Sequence, residues 1–203
     1  MKTPVRCILM DMGKVLVDID LRRLGERLQA ATGVGPEQLR AAFAADNLVA
    51  RYESGRIGDA EFHREFCGRT RRDLPFEEFT AAWNSIFLPD PILDDDILGR
   101  LAAGCRLWVI SNTNPIHYRF IQSHYGFLRH FAGCILSHEV GALKPEPTIF
   151  LRAVEKTGTA ASCTLLVDDQ ETNVQAARAL GFQAIRFVDP RRFAEDLRSL
   201  ALL

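Results

Sequence analysis

Four places in the chain put a reactive side chain where an apolar run stops or a loop opens. Asp11 follows "VRCILM", Ser111 and Asn112 follow "LWVI", Asp168 and Asp169 follow "LLV", and Lys144 stands in "GALKPEPTIF". Brought together, they supply three carboxylates, a hydroxyl, an amide and an ammonium. Clustered carboxylates raise one another's pKa, so a cation has to hold them ionised. An all-oxygen shell suits Mg²⁺, which keeps waters and shares its coordination with a substrate phosphate. A lysine and a serine hydroxyl beside that cation make an anion site for phosphoryl oxygens. One carboxylate can then attack phosphorus to give an acyl phosphate. The chemistry this set points to is magnesium-dependent phosphoryl transfer.

Taken singly, most of these motifs are ordinary. A strand that ends in Asp is common, Ser and Asn are turn residues, and "KPEP" reads as a loop with an exposed lysine. "VDDQETN" is stronger, because two adjacent carboxylates after a buried run are electrostatically awkward without a cation, although Asp169 would also serve as a helix N-cap. The order of all four along the chain carries the argument.

Positioning them requires a particular frame. "VRCILM", "CRLWVISN", "GCILS", "CTLLVDD" and "FQAIRFVD" are short apolar runs, separated after residue 92 by helix-like segments such as "IHYRFIQSHYG", "PTIFLRAVEKTG" and "ETNVQAARALG". Strands alternating with helices predict an α/β fold, a Rossmann-like parallel sheet with helices on both faces. Ligands in such sheets bind beyond the carboxyl ends of the strands, where all four motifs fall. Residues 18–88 read differently. "LRRLGERLQAAT", "GVGPEQLRAAFAA", a start capped at Asp59, and "LPFEEFTAAWNSIF" with Phe79 and Trp83 four apart predict an inserted four-helix cap without strands. The expected division is a core of residues 1–17 and 89–203 with a cap of residues 18–88, jointed near Val17–Asp20 and Leu88–Ile92.

Composition narrows the classes. The 203 residues suffice for one core with a small accessory unit. A net charge of -1 offers no basic surplus for nucleic acid. No apolar stretch approaches the roughly 18 residues of a membrane span, and the run before Asp11 is too short for a secretory signal. Five cysteines are scattered singly with no CxxC pair. That speaks against a disulfide framework and fits a reducing cytoplasm. The expected partner is a small-molecule phosphate ester, with no nucleic acid and no membrane; monomer and homodimer stay open.

In order and context, Asp11, Ser111, Lys144 and Asp168–Asp169 resemble the four sequence motifs of the haloacid dehalogenase-like hydrolase superfamily. "DMGKVLVDID", "RYESGRIGDAEF", "VISNTN" and "LKPEPTIF" are similar to its alpha-D-glucose-1-phosphate phosphatase-like group. The resemblance implies that Asp11 is the nucleophile of an aspartyl-phosphate. It implies magnesium ligands at Asp11, the Gly13 carbonyl and Asp169, with Asp168 direct or through water. Ser111 and Lys144 would bind the phosphoryl group with Asn112 nearby, and Asn173 would support the metal shell.

One departure matters. Most phosphatases of that superfamily carry a second aspartate two places after the nucleophile as general acid and base, where this chain has Gly13. Such a group contributes on the order of 10²- to 10⁴-fold. Its loss favours a hexose 1-phosphate, whose anomeric hydroxyl leaves more readily than an ordinary alcohol. Lys14 is expected to face solvent. Tyr52, Glu53, Arg56 and His63 are the cap side chains with the chemistry to touch substrate or donate a proton, although packing or surface roles account for each alone. His117, His124, His130 and His138 lack metal-ligand spacing and read mostly as surface residues. A 2-haloacid dehalogenase using the same aspartate, and a weakly active or non-catalytic phosphate-binding homologue, are the alternatives. The first has no need of the Asp168–Asp169 pair.

Overall fold

The computed structural model describes residues 3–203. Five parallel strands form one sheet: β1 (Cys7–Met10), β4 (Arg106–Ser111), β5 (Gly133–Leu136), β6 (Thr164–Asp168) and β7 (Gln183–Arg186). Their order is β5-β4-β1-β6-β7, with β1 at the centre. β1 is wholly buried because both its faces are covered: Cys7 and Leu9 pack on one side, Ile8 and Met10 on the other. This double burial explains why the strands read as continuous apolar runs rather than alternating ones. Helices α9 (Pro147–Thr157) and α10 (Glu171–Ala179) cover the first face. Helices α6 (Asp95–Gly104), α7 (Pro115–His124) and α11 (Pro190–Ser199) cover the second. A single turn, α8 (Ser137–Val140), follows β5.

Between β1 and α6 the chain builds helices α1 (Leu21–Thr32), α2 (Pro36–Ala44), α3 (Leu48–Glu53), α4 (Asp59–Thr70) and α5 (Phe76–Asn84). Asp20 caps α1 by accepting from the N–H groups of Arg22 and Arg23, and Pro36 opens α2. Phe62, Phe66, Phe79 and Trp83 interleave between α4 and α5, and their apolar cluster continues into the second face of the sheet.

Three expectations are corrected here. The segment holds a fifth helix, α3, beyond the four expected. It is bounded by short strands β2 (Val17–Ile19) and β3 (Phe87–Pro91), paired antiparallel, where no strand was expected. Three residues on one side and a Pro-interrupted run on the other are too short to show a period of two. Asp59 is not a cap: Gly58 holds that position without a side-chain bond, and Asp59 accepts instead from Tyr52 Oη at 2.5 Å.

Candidate active site

Strand register assembles the site. Met10 pairs with Val109 of β4 and Val167 of β6, so Asp11, one step on, lies level with Ile110 and Asp168. The Asp11 N–H donates to the Val167 carbonyl at 2.9 Å, which pins the strand end to β6. Beyond it the chain reverses sharply, the N–H groups of Leu16 and Val17 both returning to the Met12 carbonyl. Lys14 takes a left-handed φ of 61° in this turn and pairs with Asp18 on the surface, as expected of a solvent-facing lysine. Among the described residues, no hydrogen bond uses the Gly13 carbonyl.

Lys144 is the buried hub. Its ammonium lies 2.9 Å from Asp11 Oδ1 and 2.6 Å from Asp168 Oδ2, and donates to the Ile110 carbonyl at 3.1 Å. Asp168 is fully buried and completes its shell through Oδ1, which accepts from the Gln170 N–H and from Asn173 Nδ2, both at 2.9 Å. Asp11 Oδ1 also accepts from the Met12 N–H at 2.7 Å, which leaves Oδ2 without a donor among the described residues. Ser111 is buried, and its hydroxyl makes one long bond of 3.4 Å, to the Asn112 carbonyl. Asn112 has a role the sequence did not suggest: its Oδ1 accepts from the Lys144 N–H at 2.7 Å and its Nδ2 donates to the Lys144 carbonyl at 2.9 Å. It therefore fixes the lysine, with one amide N–H left over.

Asp11, Asp168 and Asp169 each offer an oxygen within 4.8 Å of the others. Burial, reinforced by the Asp168 charge, pushes the Asp11 carboxyl up to about 6 in spite of Lys144. Burial raises Asp169 too, with Asp168 adding to it. Burial works against the Lys144 ammonium, but Asp11 and Asp168 outweigh it and hold the group charged above its ordinary range. Three carboxylates against one ammonium leave a formal charge of -2, which a divalent cation would balance. The donors are all oxygen, the match Mg²⁺ requires. Asn173 Oδ1 is a further buried acceptor with no hydrogen-bond partner among the described residues.

From the helical segment, sequence reasoning named four candidates, and the structure separates them. Tyr52 is fully buried between Phe62 and Asp59. His63 bonds the Leu74 carbonyl and packs on Phe76 and Phe79, and Arg56 is exposed. Glu53 is different. Burial and the Asp11 charge push its carboxyl up to about 7. Of the four histidines read mostly as surface residues, His124 alone is exposed; His130 and His138 are half-buried, and His117 is buried against Trp83 at a centroid distance of 4.9 Å.

Comparison with known proteins agrees with this geometry. The family model described as haloacid dehalogenase-like hydrolase matches residues 5–181. A D-ribitol-5-phosphate phosphatase of Bacteroides thetaiotaomicron is 26% identical over 189 residues, covering 90% of this chain and 91% of that one. The crystal structure of a family enzyme from the same bacterium, in complex with magnesium and inorganic phosphate, superposes with a TM-score of 0.83 at 27% identity, over 92% of this chain and 96% of that one. L-2-haloacid dehalogenase of Xanthobacter autotrophicus shares the fold alone, at 16% identity and a TM-score of 0.65, over 98% of this chain and 84% of that one. With its parallel sheet, its carboxylate cluster at the strand ends and a family match across most of its length, the chain belongs to the haloacid dehalogenase-like hydrolase family.

Proposed function

We propose that the protein is a magnesium-dependent phosphatase that hydrolyses a small phosphate monoester of the sugar- or polyol-phosphate class through an aspartyl-phosphate on Asp11. One observation carries the reading: a buried ammonium, Lys144, bridges the candidate nucleophile Asp11 and the metal-cluster residue Asp168. A halide displacement has no use for three carboxylates within 4.8 Å of one another, whereas a phosphoryl site does. The named activity of the Bacteroides phosphatase and the magnesium and phosphate in its structural relative support the same class.

Asp11, Asp169 and the free carbonyl of Gly13 would hold Mg²⁺, with Asp168 contributing directly or through water. The ion would supply positive charge against the phosphoryl oxygens. The remaining work falls to the chain. Met12 N–H and Lys144 hold one Asp11 oxygen and orient the other for in-line attack on phosphorus. The Lys144 ammonium and the Ser111 hydroxyl neutralise and anchor the transferring group. The helical segment 18–88 would act as the cap that selects the substrate and excludes water. Gly13 taken alone favours a hexose 1-phosphate within the class, because that leaving group needs the least protonation.

The test is phosphate release from a panel of sugar and polyol phosphates, with and without Mg²⁺, for wild type and Asp11→Asn. Magnesium-dependent turnover abolished by Asp11→Asn is expected. Chloride release from 2-chloropropionate would shift the reading to a dehalogenase, and binding without turnover to a phosphate-binding homologue.

A further inference from the structure

We propose that Glu53, on the helical segment opposite the strand ends, is the general acid and base of the reaction, filling the role left vacant at Gly13. The inference rests on the phosphatase reading and deepens it.

The turn that carries Glu53 is clamped onto the sheet edge. The Glu53 carbonyl accepts from Ser137 Oγ at 2.6 Å, and the same hydroxyl group accepts from the Thr113 N–H at 2.9 Å, one residue past Asn112. Next to it, Tyr52 Oη accepts from the Ile116 N–H at 3.4 Å. Gly55 adopts a φ of 69°, and a Cβ there would stand 2.2 Å from the His138 carbonyl oxygen. Segment and sheet therefore meet backbone to backbone at residues 53–55, a separation that only glycine permits. The position of Glu53 is fixed by both sides of the cleft.

Its carboxylate has been left unused by the fold. Among the described residues it makes no hydrogen bond and no ion pair, although it is half-buried and arginines lie close by in sequence at Arg51 and Arg56. Arg51 is committed to Glu65 at 2.8 Å. The charged group that acts on Glu53 is Asp11. A Cβ on Gly13 would meet nothing nearer than Ile19 Cδ1 at 3.9 Å. Burial together with Asp11 keeps the Glu53 carboxyl protonated into the neutral range, as a proton donor requires.

The two half-reactions balance. As Asp11 bonds to phosphorus, the phosphorus–oxygen bond to the leaving group breaks, and its electron pair stays on that oxygen. The Glu53 carboxyl proton passes to the same oxygen, releasing an alcohol and leaving Glu53 as carboxylate. Water then attacks phosphorus and gives a proton to Glu53, while the electron pair of the acyl-phosphate bond returns to Asp11. Phosphate leaves and both carboxyl groups are restored. With this donor in place, the enzyme is not confined to anomeric phosphates, and primary alkyl phosphates enter its range.

The experiment compares wild type and Glu53→Gln on p-nitrophenyl phosphate, whose leaving group needs no proton, and on glucose 6-phosphate, whose leaving group does. The expected loss of kcat on glucose 6-phosphate is on the order of 10²- to 10⁴-fold. On p-nitrophenyl phosphate, rapid mixing should show a burst of about one p-nitrophenol per enzyme followed by slow turnover, because phosphorylation survives and water activation does not. Gly13→Asp added to Glu53→Gln should recover turnover of glucose 6-phosphate, which a folding defect would not allow. Equal losses on both substrates without a burst, or a change in KM alone, would overturn the assignment. A wild type inactive on every ester, with or without Mg²⁺, would instead sink the phosphatase reading itself.

Discussion

Asn112 holds the backbone of Lys144 from both sides, accepting its N–H at 2.7 Å and donating to its carbonyl at 2.9 Å. The two residues sit on different elements, one just past β4 and the other in the loop before α9, and 32 positions of chain separate them. The amide clamp is what turns a loop lysine into a buried one. From the clamped backbone the side chain reaches Asp11 and Asp168 with side-chain exposure of only 1%.

Removing the clamp should therefore damage catalysis without touching a reacting atom. In Asn112→Ala both backbone bonds of Lys144 are lost, and the ammonium is free to shift by a fraction of its length. Misplacement of about 1 Å costs up to roughly 10²-fold in rate. The expected result is a drop of that order in kcat with a smaller change in KM. Asn112→Asp keeps the acceptor and loses the donor, and should fall between the two. Equal activity of all three proteins would show that the clamp does not position the lysine.

Lys144 also neutralises the carboxylates beneath it. Lys144→Met leaves Asp11 and Asp168 buried without their ammonium, and breaking a buried pair in this way costs about 3–5 kcal/mol. A divalent cation would replace the missing charge. Magnesium should therefore raise the denaturation midpoint of Lys144→Met by more than it raises that of wild type, and chelation should reverse the gain. Denaturant unfolding with and without Mg²⁺ measures both, and an equal effect of magnesium on the two proteins would contradict the charge argument.

The strands and the carboxylate cluster at their ends were legible because their causes are local. A strand buried on both faces must be apolar throughout, and the residue that ends it must be polar if it meets the cleft; β1 with Asp11 and β6 with Asp168 both follow that rule. Glu53 was named among four cap residues, yet nothing in the sequence separated it from Tyr52, Arg56 or His63. The reason lies in α3, which went unseen. It is six residues long, too short to display a helical period, and it starts at Asn47 in a left-handed conformation (φ 50°) without a side-chain cap. Its placement comes from contacts distant in sequence, such as Ser137 with the Glu53 carbonyl, 84 positions apart. The hold of Asn112 on Lys144 was hidden for a related reason: its amide partners are backbone groups of another loop, which no local spacing records.

His117 shows the same dependence on distant contacts, and its burial makes the join between segment and sheet sensitive to acid. Its Nε2 donates to the Trp83 carbonyl at 3.2 Å, and a carbonyl can only accept, so the ring proton sits on Nε2. Nδ1 is then the acceptor for Asn114 Nδ2 at 3.1 Å. Both bonds suit the neutral ring, and burial lowers its pKa from 6.5 to about 4, with the Trp83 carbonyl opposing. The unfolded chain therefore binds a proton that the folded one refuses between about pH 6.5 and 4. The stabilisation is complete above that window and is lost as pH falls through it, amounting to about 3 kcal/mol for a fully buried ring. His117→Gln keeps a donor and an acceptor but cannot titrate. It should be less stable than wild type near neutral pH, because the ring and its stacking on Trp83 are gone. As pH drops toward 4 that deficit should shrink by up to about 3 kcal/mol. Chemical denaturation of the two proteins across the window measures the difference, and a deficit that stays constant would mean that His117 is not the acid-sensitive group.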